Sequence, residues 1–262
     1  MLPMKQNNTN TAILILAGGG NKYSSFIDAV RSSWLADAVN SGIPTFFYCG
    51  GAEDDHIEGD FIRVKASDSL EHCYLKFLAA ARVLREAYPN VELIFRTNIS
   101  SYIDMDTFRG FLRTLNHCPD IMCGIQGNAY LFAEKLHRYK FLSYVIRRMR
   151  IGPKFNFYSG AGFFIGTNVL DQLKATPGNY MIDDVEIGYQ KLSHIKCSRP
   201  LLRVYVTDSF NKMTKNEFDS LVENGLFHYK FKTTNRSFDA DCIKLFGQHN
   251  IRFNRLTLND EI

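Results

Sequence analysis

Two carboxylates stand side by side in Met181-Ile-Asp-Asp-Val-Glu-Ile-Gly188, a short helix-like interval after Tyr158-Ser-Gly-Ala-Gly-Phe-Phe-Ile165. A carboxylate held beside a bound hydroxyl can take its proton as the oxygen attacks, and glycines, lacking Cβ, let backbone N–H groups come close to a ligand. A flexible small-residue turn, an apolar strand, and Asp183 and Asp184 at a helix start therefore read as a site for group transfer. The same residues also suit a plain strand, turn and capped helix, because Asp is a favoured N-cap. Neighbours on a helix point ~100° apart, so Asp183 and Asp184 cannot both face one hydroxyl. One would be the base, and the other would cap the helix or fix the site.

Other residues invite chemistry less directly. Gly18-Gly19-Gly20 could cradle a phosphate, yet it fits neither G-x-x-x-x-G-K-[ST] nor G-x-G-x-x-G. Arg31, one turn into the helix that follows, could grip a pyrophosphate with its planar fork of donors; alone it reads as a surface residue with its charge in water. Glu53-Asp54-Asp55 reads as a solvated loop and not as a metal site. Phe132 to Lys154 carries Lys135, Arg138, Lys140, Arg147, Arg148, Arg150 and Lys154 against Glu134, a face that is solvated or draws an anionic acceptor or lipid surface. His228, in Phe227-His-Tyr-Lys-Phe-Lys232, reads by itself as a strand histidine.

The elements that must position these groups follow from hydrophobic periodicity. Ala12-Ile-Leu-Ile-Leu-Ala17 is a buried first strand ending in the glycine loop, and Ser24 to Val39 has helical spacing. Thr45-Phe-Phe-Tyr-Cys49 and Phe61-Ile-Arg-Val64 are strands, and Asp68 to Tyr88 is a long amphipathic helix ended by Pro89. Val91-Glu-Leu-Ile-Phe95 is the next strand, running into Arg96-Thr-Asn-Ile-Ser-Ser101. In open α/β sheets ligands gather at carboxyl ends of strands, which places Arg96 to Ser101 where a site is expected. Helices are predicted over Asp106–Leu115, Phe132–Met149, Asn168–Lys174 and Asp183–Leu192, with strands at Ile121–Gly124 and Gly162–Ile165. The fold class is α/β, with a mixed sheet toward the C terminus.

The 262 residues, 45% hydrophobic and 22% charged, are enough for one compact domain, taken as 11–262 after a polar leader at 1–10. A net charge of +4 suits an anionic small molecule and falls short of a dedicated nucleic-acid binder. Six scattered cysteines without a CxxC pair indicate a reducing compartment, and no run approaches ~18 apolar residues. A cytoplasmic protein, soluble or peripherally bound to membrane, is expected.

Taken in order, the segments resemble the β-1,3-glycosyltransferase family that includes fringe and the β-1,3-galactosyl- and N-acetylglucosaminyltransferases. Val30-Arg-Ser-Ser-Trp34 is similar to its I-R-x-T-W, and Asp68-Ser69 with Leu75-Lys76 holds the spacing of D-S-Y-x-N-L-T-L-K. Pro89 and Leu93-Ile-Phe-Arg-Thr97 match the family's proline and F-V-L-K-T strand. Tyr158 to Ile165 resembles S-G-G-G-Y-V-L, and Asp183 to Gly188 resembles E-D-V-x-x-G. The resemblance implies a GT-A fold, a nucleoside-diphosphate sugar donor, UDP-linked first among candidates, a glycan, lipid-linked or protein acceptor, and inversion at the anomeric carbon. It implies Asp184 as general base, with Asp183 as partner or in the reversed role. It also puts Ser159-Gly160-Ala161-Gly162 beside sugar and acceptor, and Arg31, Lys76, Arg96, Asn98, Ser100, His228 and Lys230 around the donor.

Where that family carries a metal-binding D-D-D, this chain has Asn98-Ile99-Ser100. Neither Asn nor Ser has the charge with which carboxylates hold Mn²⁺ or Mg²⁺ against a diphosphate. Three readings stay open. Cations such as Arg31, Lys230 and Arg236 could replace the metal; another group, with Asp104, Asp106 and His228 as candidates, could bind it; or activity could be lost. Two rivals stand beside transfer. Leu16-Ala-Gly-Gly-Gly20 resembles the L-A-G-G-x-G opening of sugar nucleotidyltransferases, though Asn21-Lys22-Tyr23 follows where that family has Arg, and a non-catalytic nucleotide-sugar-binding module would also lack the metal carboxylates.

Overall fold

Thr11-Ala-Ile-Leu-Ile-Leu16 is apolar almost without break, a pattern that belongs to a strand covered on both faces. In the computed structural model, which describes residues 10–115, 119–135, 139–174, 182–191, 201–208 and 214–248, this strand, β1 (Thr11–Leu16), lies near the middle of a seven-stranded sheet. The chain continues through α1 (Ser24–Val30), a π-helical turn at Arg31–Leu35, and α2 (Ala36–Asn40). Next come β2 (Thr45–Cys49), the hairpin β3 (His56–Glu58) and β4 (Phe61–Arg63), and α3 (Cys73–Ala87). Strand β5 (Leu93–Asn98) leads to β6 (Ser101–Ile103) and α4 (Met105–Thr114). After β7 (Met122–Tyr130) come α5 (Leu131–Lys135), α6 (Lys140–Met149), the long β8 (Lys154–Gly166), α7 (Thr167–Asp171) and α8 (Asp183–Lys191). The described chain closes with β9 (Arg203–Val206), α9 (Lys215–Glu223), β10 (His228–Phe231) and α10 (Arg236–Gln248).

The large sheet has the order β3-β4-β2-β1-β5-β8-β7; β3 and β8 run against the other strands. This is the expected α/β architecture, a mixed and mostly parallel sheet flanked by helices. A smaller sheet, β6-β10-β9, branches from the end of β5. One apolar core, built on Trp34, Phe95, Phe108, Phe164 and Phe227, fills the space between one face of the large sheet, the small sheet, and α1, α4 and α10. The other face is covered by α3 through Tyr74, Phe77, Ala81 and Leu84, which recur at helical spacing, together with Val169 of α7 and Ile187 of α8. Burial of this amount of apolar surface, at about 25 cal/mol per Å², is the main force holding both layers.

Two expectations change. Tyr158 to Gly162 is not a turn but the middle of β8, where Gly124 pairs with Phe163 and Gln126 with Tyr158, so the residues between them bulge away from β7. The predicted helix over Phe132–Met149 is two helices, α5 and α6, folded against each other. Ser143 Oγ donates to the Ala133 carbonyl at 3.0 Å, and Arg147 Nη2 lies 2.8 Å from Glu134 Oε1. At ~1.5 Å rise per residue a continuous helix would hold such groups far apart. Helix α7 stops at Asp171, short of the predicted Lys174. Residues 1–9, Cys118, Arg138, Met181, Leu192 and Cys197 lie outside the described residues.

Candidate functional site

The carboxyl ends of β2, β1 and β5 lie on one edge of the sheet, since Leu16 is level with Tyr48 and with Asn98. Thr97 is level with Gly162, so the bulge of β8 meets the same edge. Here Asp68 ties two loops together: Oδ2 accepts from Gly19 N at 2.7 Å, and Oδ1 accepts from Gly50 N at 3.0 Å and from Lys76 Nζ at 3.1 Å. Burial works against the Asp68 carboxylate, but those two N–H groups and the Lys76 ammonium outweigh it and hold its pKa below the usual value. Lys76 is itself buried and also donates to the Asp68 carbonyl. The sequence match at Asp68 and Lys76 thus marks a bolt that shapes the glycine loop.

Arg96 points inward from β5 and is buried. Its Nη2 is 2.6 Å from Asp183 Oδ2, its Nε donates to Tyr48 Oη at 3.2 Å, and its Nη1 donates to the Gly160 carbonyl. The Asp183 contact is Coulombic, with no N–H aligned on that oxygen. Burial is the largest influence and disfavours the Arg96 charge, yet Asp183, Tyr48 and Asp184 together outweigh it and keep the guanidinium firmly protonated. Asp184 turns the other way. Its Oδ2 accepts from Gly160 N at 2.6 Å and its Oδ1 from Val185 N at 3.0 Å. Burial, and then the charge of Asp183, raise its pKa to about 6 against the pull of those N–H groups. A Cβ at Gly160 would sit 2.9 Å from Asp184 Oδ2, so only glycine admits the carboxylate this close. Asp184 lines a cavity of about 350 Å³ with Asn128, Tyr130, Glu134, Arg147 and Phe157.

A second cluster lies beside the first. Fully buried His228 accepts at Nδ1 from Arg203 Nε, 3.1 Å away. Arginine only donates, so the ring proton sits on Nε2, which faces Ser101 Oγ at 3.0 Å. Burial, with Arg203 and Lys230 nearby, holds His228 well below the usual histidine range and therefore neutral. Arg203 also donates to the Gly162 carbonyl at 2.5 Å and to Ser159 Oγ and Tyr205 Oη at 3.1 Å each. A Cβ on Gly162 would collide with the His228 ring. Lys230, on the same strand as His228, donates to both Asn98 Oδ1 and Ser100 Oγ.

Asp183, Asp184, Arg96 and Gly160 are thus joined in one network, and Asn98, Ser100, Lys230, His228 and Gly162 in the adjoining one. Arg31 belongs to neither: it makes a two-pronged pair with Asp60 at 2.7 and 2.8 Å and stacks over Phe47 and Phe61. Trp34 connects the matched helix to the site, because its Nε1 donates to the Ser101 carbonyl at 2.9 Å. Asp104 caps α4 by accepting from Thr107 N at 2.8 Å, and Asp106 pairs with Arg109. Arg203 and Tyr48 belong to no motif of the sequence, but a lone Arg in Leu201-Leu-Arg-Val-Tyr-Val206 is a usable signal, since a charge within an apolar strand needs a buried partner. A larger hollow of about 650 Å³, lined by Leu75, Leu78, Arg82 and Leu170, contains none of the site groups.

No protein-family model matches the chain. Over 144 residues, 52% of this chain, it is 26% identical to the human UDP-GalNAc:beta-1,3-N-acetylgalactosaminyltransferase 1, and equally so to that of Pongo abelii. The match spans 42% of those relatives' length. A solved structure described as a glycosyltransferase involved in glycosylation of the major capsid of PBCV-1 superimposes with a TM-score of 0.49 at 10% identity, over 89% of this chain and 99% of that one. Among the described residues no helix is long and apolar enough to cross a membrane.

Proposed function

We propose that this protein is an inverting GT-A glycosyltransferase that moves a sugar from a nucleoside-diphosphate donor, UDP-linked first, to an acceptor hydroxyl. The observation that carries the reading is Asp184: a buried carboxylate with its pKa raised to about 6, held against the backbone of Gly160 and facing a cavity. A general base works best when its pKa lies near the operating pH. Similarity to a β-1,3-N-acetylgalactosaminyltransferase over half the chain supports the same class.

In this reading the nucleotide lies across the loops at Gly18–Gly20 and Gly50 that Asp68 ties together, and its diphosphate reaches Asn98, Ser100 and Lys230. The acceptor enters the cavity lined by Asp184, Tyr130 and Glu134. Its hydroxyl oxygen forms the new bond to the sugar anomeric carbon, and the carbon–oxygen bond to the diphosphate breaks on the opposite face. The nucleoside diphosphate leaves with the bonding electrons, and the hydroxyl proton passes to Asp184. Asp183 does not take that proton; paired with Arg96, it sets the position of the helix start that carries Asp184.

The test is a panel of nucleotide sugars with product analysis. Release of nucleoside diphosphate, with a product whose anomeric configuration by NMR is opposite to the donor's, is the expected result. Pyrophosphate formed from a sugar 1-phosphate and a nucleoside triphosphate would identify a nucleotidyltransferase instead. Binding of a nucleotide sugar with neither reaction would identify a non-catalytic module.

A further inference from the structure

The family resemblance implies Mn²⁺ or Mg²⁺ at the end of β5, and the residues present do not fit such an ion. Hard divalent cations are held by several oxygens, carboxylates foremost. Here Asn98 Oδ1 and Ser100 Oγ are neutral, and both already accept from Lys230 Nζ. Both ring nitrogens of His228 are engaged, Nδ1 by Arg203 and Nε2 by Ser101. Asp183 is paired with Arg96, and Asp239 with Arg236 and Thr233. Among the described residues no three His, Cys, Asp or Glu side chains form a metal-binding group.

What does stand there is an amine. Lys230 is buried, with three N–H donors when charged; two go to Asn98 and Ser100, and the third has no partner among the described residues. Burial, then Arg236, Arg96 and Arg203, push its pKa well down. A diphosphate brought against this group of cations supplies the missing opposite charge and favours the ammonium form. We infer that Lys230, oriented by Asn98 and Ser100, is the built-in cation that receives the donor diphosphate, so that nucleotide binding needs no divalent metal. This inference rests on the donor class proposed above.

Titration calorimetry with UDP, GDP, ADP and CDP, and with the matching monophosphates, tests it. For the nucleoside diphosphate that binds, affinity in excess EDTA should equal that in Mn²⁺. Lys230→Met should weaken the diphosphate by about 10- to 100-fold, as loss of a charge-assisted hydrogen bond does, and leave the monophosphate within about threefold. Binding that requires Mn²⁺, or an equal loss for diphosphate and monophosphate, would overturn the inference. If Lys230→Met does not fold, the comparison of EDTA with Mn²⁺ on the unaltered chain decides. If no nucleotide binds in either condition, the donor class itself fails along with the inference.

Discussion

Asp184 is held in a state that costs the fold something. Its pKa in the folded chain, about 6, lies above the ordinary 3.8, so folding favours the protonated acid. Stability from that preference is fully present below about pH 4 and is lost as pH rises through about 6. Wild-type melting temperature should therefore carry a fall between about pH 4 and 8 that Asp184→Asn, which does not ionise but keeps only one acceptor oxygen for the N–H groups of Gly160 and Val185, lacks. Differential scanning calorimetry across that range would show the difference between the two proteins shifting in favour of the variant as pH rises, and a difference independent of pH would refute the assignment of the shift. The importance of this pair was legible in the sequence because two adjacent acids at a helix start are conspicuous. Their division of labour was not, because it depends on Arg96 and Gly160, which lie far off in sequence.

Strand β8 brings both clusters together, and its glycines do different jobs. At Gly160 an added methyl would press on Asp184 Oδ2 and Cγ, at 2.9 and 3.0 Å. Gly160→Ala should lower kcat by up to ~10²-fold through displacement of Asp184, the proposed base, with little change in donor KM. At Gly162 the methyl would meet the buried His228 ring, so Gly162→Ala should cost about 1–3 kcal/mol in urea unfolding. Equal effects of the two variants on kcat and on stability would contradict this division. The glycines were visible in the sequence, but Ser-Gly-Ala-Gly signals a turn and a bulged strand equally well. Pairing with β5 and β7 decides the matter, and pairing is a long-range fact. The same holds for α5 and α6, whose basic residues read as one continuous helix until the Ala133–Ser143 contact folds them back.

At the scale of the molecule, the site exists because β1, β2 and β5 end on one edge and β8, running the other way, returns to it. The first strands and their helices were legible from apolar runs and spacing, as with Thr11–Leu16 and the Tyr74–Leu84 face of α3. The small sheet was not, since β6 and β9 are only three and four residues long and gain their pairing from His228–Phe231. Yet that sheet delivers Arg203, His228 and Lys230 to the edge where Asn98 and Gly162 wait. The pH dependence of kcat for transfer from the nucleotide sugar, measured on the wild type and on Asp184→Asn, tests the central claim most directly. The wild-type profile should rise with pH through about 6 as Asp184 ionises, and the variant should lose that limb together with about 10²- to 10⁴-fold of its turnover. Turnover within a few-fold of wild type, with the limb intact, would show that Asp184 is not the base.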